Sequence, residues 1–390
     1  MPLRVKKKMT PSSAVNYTFI DTQEALAAMA AGLADLARVA IDLEADSLYH
    51  FREKVCLIQI GSCRGNWIVD PLQLEDLSVL KPLFHREDVQ KIFHGADYDI
   101  RSLYRDFGIE IRNLFDTELA GRFLGLRETG LDAVLQNRLG VSLDKKYQKK
   151  DWSKRPLPPE MIAYAAGDVF YLLPLAELLE AELVQKERLD WVQEECAILS
   201  TVRPPVSDNE PLFLRFRGAG RLGPRSLAVL EALLQLRKTL AEARDRPPFK
   251  IVGNDCLMKL AIEKPLELSQ LEKLKILSVK QHRIYGRNFV ETIEKTLLQP
   301  VDNLARYPRK RAPSIPPAIP KRVRALRAWR DARAKNWNID PAMLLNKALM
   351  TTLALKNPLT SRELNKVTEL KQWQKRALGN EIIRVLNKVR

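Results

Sequence analysis

Three short stretches of the chain carry acidic residues at spacings that chemistry can use. In RVAIDLEADS (38–47), Val39, Ile41, Leu43 and Ala45 alternate with Asp42, Glu44 and Asp46, the period-2 pattern of a strand with one apolar and one acidic face. Same-face side chains on a strand lie roughly 6.5–7 Å apart. Two carboxylates on one face of a central strand repel each other unless cations sit between them. An oxygen-rich, water-retaining site of that kind suits Mg²⁺ or Mn²⁺. The same alternation serves equally as the solvated face of an edge strand. In HGADYDIRSL (94–103), an apolar strand, KIFHGA, runs into a helix and sets Asp97 and Asp99 near the helix N-terminus. Asp97 fits an N-cap, whereas Asp99 lies inside the helical pattern, where a carboxylate gains less from capping. In IAYAAGDVFYLL (162–173), Tyr164 and Asp168 are four apart and share a helix face. The small residues Ala165, Ala166 and Gly167 between them let a backbone or a ligand approach closely. A surface pair is the plain alternative.

Other residues carry weaker signals. The polar, basic, proline-punctuated loop KKYQKKDWSKRPLPP (145–159) precedes this helix. Its Lys149, Lys150, Trp152 and Arg155 can hold phosphates or stack a base, or the loop is simply tied down by Trp152 packing. His94 either faces the cleft or is satisfied by backbone. Asp116 reads as an N-cap, and Asp46 as exposed.

The elements that must position these residues are mixed in type over the first 200 residues. Thr22 to Ala37 reads as a helix with Thr22 as N-cap. VCLIQIGS and NWIVD read as strands separated by the turn-prone SCRG, so that with the first acidic strand they form an antiparallel meander. Helices are expected around Leu77–Phe84, Tyr98–Phe107, Asp116–Leu124 and Leu131–Leu139, and from Pro159 to Leu183. Linker-like TVRPPVSDNEP (201–211) marks a domain boundary. Beyond it strand patterns nearly vanish. Helices are expected at Leu227–Arg244, Asp255–Glu263, Ser269–Leu274 and Tyr285–Leu298, followed by the extended basic connector YPRKRAPSIPPAIPK. The helical pattern then recurs. LMKLAIEKPLELSQLEKLK and LNKALMTTLALKNPLTSRELNKV share an apolar helix, a Pro-Leu turn and a second helix start, which points to a tandem repeat of about 70–80 residues.

The chain has 390 residues, 46% hydrophobic and 29% charged, a globular composition with room for two to three domains at ~150 residues each. Its net charge is +16. Residues 211–390 hold 38 Lys and Arg against 15 Asp and Glu, a balance of +23, and residues 1–210 balance at −7. An acidic half joined to a strongly basic half points to a polyanion partner; a solubilising surface is the bland alternative. No apolar run approaches the ~18 residues of a membrane span, and the basic start MPLRVKKKMT lacks the apolar segment of a secretory signal. Cys56, Cys63, Cys196 and Cys256 form no CxxC pair and suit a reducing cytoplasm.

Taken together, D-x-E on a strand, an Asp after a strand-to-helix turn and Y-x₃-D on a helix resemble the DEDD superfamily of 3′→5′ exonucleases, in its tyrosine branch. VCLIQIG, FDTELA and DWSKRPL are similar to the ribonuclease D family in particular, over residues 18–200. The repeats at 222–298 and 318–390 resemble the HRDC domain, the second more loosely. The resemblance implies a ribonuclease-H-like α/β exonuclease domain over 1–205, with a mixed sheet of about five strands flanked by helices. A linker (206–221), a first all-α HRDC domain (222–300), a basic proline-rich linker (301–317) and a second HRDC-like domain (318–390) follow. It implies that Asp42, Glu44 and Asp168 hold one divalent ion and that Asp42 bridges to a second, which Asp99 holds directly or through water. The ions, ~3.5–4 Å apart, clamp the scissile phosphate, and nucleoside 5′-monophosphates leave one at a time. A phenol with a pKa near ~10 is a poor base at neutral pH, so Tyr164 is expected to position the attacking water.

The expectation is a monomeric, cytoplasmic exoribonuclease that trims the single-stranded 3′ end of a structured RNA such as a tRNA precursor, with no membrane partner. Its C-terminal half (211–390) acts as an RNA anchor whose removal leaves short oligonucleotides cleavable. Trp329, Trp337 and Trp373 either stack bases there or fill the core. A DNA exonuclease of the same chemistry and a non-catalytic nucleic-acid-binding protein are the competing classes.

Overall fold

The computed structural model describes residues 16–205, 210–300, 304–308 and 316–389. The basic N-terminal segment and Arg309, Lys310 and Arg311 of the connector lie outside the described residues. The chain divides into two compact units. One holds the chain up to Ala45, Val55–Pro204 and the C-terminal repeat from Ser314; the other holds Asp46–Lys54 and Pro205–Pro313.

The first unit is built on a six-stranded sheet of β1 (Thr18–Ile20), β2 (Arg38–Ala45), β3 (Val55–Ser62), β4 (Gly65–Val69), β5 (Gln90–Phe93) and β6 (Leu114–Asp116), in the order β1-β4-β3-β2-β5-β6. The expected meander is present: β2 pairs antiparallel with β3, and β3 with β4. β5 runs parallel to β2, and β1 and β6 add parallel edges. The four strands read from the sequence are β2, β3, β4 and β5; β1 and β6, which bring the sheet to six against the about five that the resemblance implied, have three residues each, too few to show a period. β2 therefore lies inside the sheet, which removes the edge-strand reading of its acids.

The sheet is flanked by α1 (Gln23–Gly32), α2 (Lys81–His85), α3 (Asp97–Phe107), α4 (Thr117–Leu124), α5 (Leu131–Leu139), α6 (Pro159–Phe170), α7 (Leu172–Gln185) and α8 (Leu189–Leu199). Thr22 caps α1, its hydroxyl accepting from Ala25 N at 3.3 Å. The helix expected from Pro159 to Leu183 is two, divided at Tyr171. By length and composition alone, Pro159–Gln185 is apolar enough to cross a membrane, contrary to the expectation from apolar runs. Its buried Met161, Ala165, Ala166, Val169, Leu175 and Leu179 pack within the unit, as in a core helix.

The two helical repeats have matching element lists. α9 (Pro224–Ala243), α10 (Pro248–Ile251), α11 (Asn254–Glu263), α12 (Leu268–Lys273) and α13 (Val279–Leu297) are followed by α14 (Ala318–Trp337), α15 (Pro341–Leu344), α16 (Lys347–Lys356), α17 (Ser361–Asn365) and α18 (Gln372–Asn387). Even the irregular positions repeat. Lys264 and Asn357 each end a helix in the left-handed region, at φ 51° and 45°. Gly286 and Gly379 each sit against a leucine of the preceding helix, so that a Cβ would come within 3.2 Å of Leu268 and 2.8 Å of Leu364.

The second repeat shares one hydrophobic core with the sheet domain. Trp373 is fully buried, stacked on Trp191 with ring centroids 4.8 Å apart and edge-on to Phe123 at 5.5 Å. Glu194 on α8 caps α18 from across the interface, accepting from the backbone N–H of Gln372 and Trp373 at 2.6 and 2.8 Å. Neighbouring Glu195 accepts from the Trp373 indole at 3.0 Å and pairs with Lys371. Trp337 packs on Trp191, and the Trp329 indole donates to Glu381 at 2.7 Å. All three tryptophans are thus structural. Removing residues 211–390 would uncover Trp191 and Phe123, so the expected separable anchor is corrected for its C-terminal part.

Truncating a fully buried tryptophan costs about 3–5 kcal/mol. Trp373→Ala is accordingly expected to shift the unfolding transition to clearly lower urea concentration, read by tryptophan fluorescence. A midpoint equal to that of the parent would remove this interface from the core.

Candidate active site

Each acidic residue is placed by a different local rule. On β2, Val39, Ile41 and Leu43 are buried while Asp42 and Glu44 remain partly exposed, so the alternation read from the sequence sets both acids on the open face. Asp42 stands opposite Gln59 of β3, whose buried side-chain amide has no hydrogen-bond partner on either atom.

Asp99 comes from the first turn of α3 and is 8% exposed. The turn that delivers it is clamped by Asp116. That carboxylate caps α4 through Glu118 N and Leu119 N and also accepts from Gly95 N and Ala96 N, both at 2.9 Å. Gly95 has φ 73°, and a Cβ there would stand 2.9 Å from Glu118 Oε2, so only glycine fits this turn. Asp116 was expected as an N-cap and is one. Asp97 is not: α3 begins at Asp97 after Ala96, and Asp97 instead pairs with Arg101 one turn on at 2.8 Å.

Asp168 and Tyr164 come from α6; Asp168 is 9% exposed. The close approach expected at the Ala165–Gly167 run occurs next to it. A Cβ on Gly61 of β3 would lie 3.2 Å from the Val169 carbonyl, whereas Gly167 has no atom within 4 Å of a Cβ position. Asp42, Glu44, Tyr164 and Asp168 line one cleft of about 470 Å³, with Lys145, Gln148, Glu118 and Asp132 on its other walls. Asp99 is not among the lining residues, yet it acts electrostatically on Glu44.

The four carboxylates share an unfavourable field. Burial pushes the Asp42 carboxyl up to about 7. Burial is also the largest cause for Glu44, which Asp42, Asp168 and Asp99 raise further. Asp99 and Asp168 are raised well above the usual carboxylate range by burial and then by Asp42. No Lys or Arg among the described residues forms an ion pair with any of the four. Among the described residues no group of three or more His, Cys, Asp or Glu side chains is drawn close enough to hold a metal ion as it stands. The donor chemistry nevertheless fits a hard divalent cation: four carboxylates, oxygen donors only, buried without positive charge, beside the unpartnered Gln59 amide.

Tyr164 is held by rings on two sides, edge-on to Tyr147 at 5.8 Å and tilted against Trp152 at 6.1 Å. Burial, and then Asp168, Glu44 and Asp42, push its phenol further above its ordinary value, so it stays protonated.

The loop before α6 corrects two expected substrate contacts. Trp152 is fully buried and has no face to offer a base. Arg155 is locked in a bidentate pair with buried Asp70 at 2.5 and 2.6 Å and also donates to the Cys56 and Trp152 carbonyls. Both tie the loop down. Lys149 is exposed and is not among the cleft residues; Lys145 and Gln148 of the same basic run are, and sequence reasoning passed over them because a run of like residues does not show which one points inward. His94 lines the cleft, its Nδ1 2.9 Å from the Thr117 hydroxyl. Asp46, expected to be exposed, is buried and accepts from Lys54 N at 2.7 Å to close the β2–β3 loop.

Comparison with known proteins agrees with this geometry. A 3′-5′ exonuclease family model matches residues 17–184, and the HRDC domain model matches 226–293 and 320–386. The chain is 31% identical to ribonuclease D of Acidiphilium cryptum, covering 94% of this chain and 92% of that protein. It is 30% identical to protein RRP6-like 2 of Arabidopsis thaliana over 77% of this chain, but spans only 36% of that longer protein. The crystal structure of Escherichia coli RNase D, described as an exoribonuclease involved in structured RNA processing, superposes with a TM-score of 0.72 at 26% identity, covering 96% of this chain and 99% of that one. With both family models matched and similarity to a ribonuclease D along nearly the whole length of both chains, the chain belongs to the ribonuclease D family of 3′→5′ exoribonucleases.

Proposed function

We propose that the cleft hydrolyses the 3′-terminal phosphodiester of structured RNA, tRNA precursors among them, with Asp42, Glu44, Asp99 and Asp168 holding two divalent ions, Mg²⁺ or Mn²⁺. The observation that carries this reading is the set of four carboxylates, three lining one cleft and Asp99 acting on them electrostatically, none with an ion-pair partner among the described residues. The ions, when bound, supply Lewis acidity to the scissile phosphate and acidify the attacking water.

The chain's own residues do the remainder. The rigid sheet and α6 hold the carboxylates at fixed separation, so little reorganisation accompanies binding. Tyr164 keeps its proton and orients the water through its hydroxyl, with Trp152 and Tyr147 fixing the ring plane. Lys145, paired with Asp132 at 2.9 Å, and Gln148 stand where the terminal nucleotide enters. One chain supplies every acidic residue of the cleft, so a monomer suffices. Cys56, Cys63, Cys196 and Cys256 are all free thiols, which supports a reducing cytoplasm.

Three outcomes test this reading. With Mg²⁺, matched RNA and DNA oligonucleotides separate the classes: stepwise 3′ shortening of RNA to 5′-monophosphates is expected. Preference for DNA would transfer the chain to a DNA exonuclease, and no cleavage of either would sink the catalytic reading. Tyr164→Phe is expected to lower kcat on the order of 10²-fold while Mg²⁺ binding, followed by calorimetry, stays intact; full activity would remove Tyr164 from the chemistry.

The third concerns pH. The four carboxyls are raised above their unfolded values, so their contribution to stability is fully present below pH ~4 and is lost as pH rises, through about 7 for Asp42. A bound cation offsets the repulsion only where the carboxylates are ionised. Mg²⁺ is therefore expected to raise the Tm more at pH 8 than at pH 5.5. An equal rise at both would show that it binds elsewhere.

A further inference from the structure

The second unit contains a pocket that the nuclease chemistry does not use. The β2–β3 loop Asp46–Lys54 belongs to this unit and is pinned at the end of α9. Asp245 accepts from Phe51 N at 3.0 Å and pairs with His50 at 2.6 Å, and Arg52 pairs with Glu242 at 2.7 Å. The pinning sets Phe51 in the wall of a pocket of about 400 Å³ that Phe216 also lines, both rings partly buried against the core of the unit. Arg215, Arg237 and Lys238 also line it, and none of its lining residues is acidic.

Arg237 is the informative cation. Its Nη1 donates to the Val252 carbonyl at 3.2 Å and to Asn254 Oδ1 at 2.7 Å, both neutral. Burial lowers its proton affinity, and no carboxylate is among the groups acting on it. Arg188 is likewise buried and satisfied by two carbonyls, of Phe123 and Trp337, but it lines none of the main cavities. Arg237 instead stands at the wall of an open pocket, one position before the exposed Lys238. A half-buried guanidinium facing open space with only neutral partners is completed by an anion. Two phenylalanine rings beside three cations match a nucleobase with its flanking phosphates.

We propose that this pocket is a second RNA subsite, in which a base of the single-stranded substrate packs against Phe51 and Phe216 while its phosphates meet Arg237, Lys238 and Arg215. The proposal rests on the exoribonuclease reading and adds to it a contact outside the catalytic cleft. RNA is the occupant because the chain's activity already supplies that polyanion and residues 211–390 balance at +23. The loop that carries Phe51 continues directly from β2, the strand of Asp42 and Glu44, so one hairpin contributes to both sites.

The test uses the full chain and a 4-thiouridine-labelled single-stranded RNA of about 20 nucleotides, bound in chelator so that it stays intact. Lys238→Glu is expected to weaken its Kd about 10-fold and to lower the slope of log Kd against log salt by one to two. Hydrolysis of a dinucleotide in Mg²⁺ should stay unchanged. In the unsubstituted protein, irradiation should cross-link the RNA to peptides containing Phe51 or Phe216. An unchanged Kd and slope, or cross-links that avoid both peptides, would overturn the subsite. So would binding of an acidic aromatic peptide by the parent and not by K238E with RNA affinity unaltered, which would assign the pocket to a protein. None of these results touches the catalytic reading, which stands or falls on dinucleotide hydrolysis by the parent.

Discussion

Mutual repulsion among Asp42, Glu44, Asp99 and Asp168 is the constraint around which the first unit is organised. Among the described residues no Lys or Arg pairs with any of them to relieve it. The fold must hold them against that repulsion, and it does so with its most rigid parts: an interior strand, the first turn of a helix clamped by Asp116, and a helix packed on β3 through Gly61. A hard cation bound among the four carboxylates, as proposed, would relieve that repulsion. Burial, and then Asp168, Glu44 and Asp42 of the same set, push the Tyr164 phenol above its ordinary value and keep it protonated.

Much of this was legible in the chain because it follows short-range rules. The alternation at 38–45 placed Asp42 and Glu44 on one face, and the i,i+4 spacing placed Tyr164 and Asp168 on another. The tandem repeat was visible from its turn residues and apolar helices, and the structure repeats it down to the left-handed positions at Lys264 and Asn357. What escaped depended on long-range partners. Strands of three residues have no period to detect. Arg155 and Trp152 look like substrate contacts in a basic loop, and only the tertiary position of Asp70, 85 residues away, shows that they serve to anchor it. The close approach at α6 was sought at Gly167, on the helix, whereas the residue that permits it is Gly61, on the strand beneath. Asp46 illustrates the same limit: in sequence it extends the acidic face of β2, yet it is buried and folds the next loop.

The two helical repeats have the same elements but different attachments. The first lies in a unit with the β2–β3 loop, and the second is built into the core beneath α8. Divergence of the surfaces accounts for this. Trp373, buried in the second repeat, corresponds in element position to Lys280 of α13, which faces solvent. Equal backbones thus carry unequal roles, one set by apolar contact and the other left with a cationic pocket.

The tryptophan that closes the core is made more than three hundred residues after the strand that bears Asp42. During synthesis the nuclease module cannot finish its own interior until α18 emerges from the ribosome. A chain that lacks α18 leaves bare the faces of Trp191 and Phe123 that Trp373 covers, an apolar surface of the kind chaperones and proteases act on. The order of elements along the polypeptide thereby places a contact that completes the nuclease core far downstream of the strands that begin it.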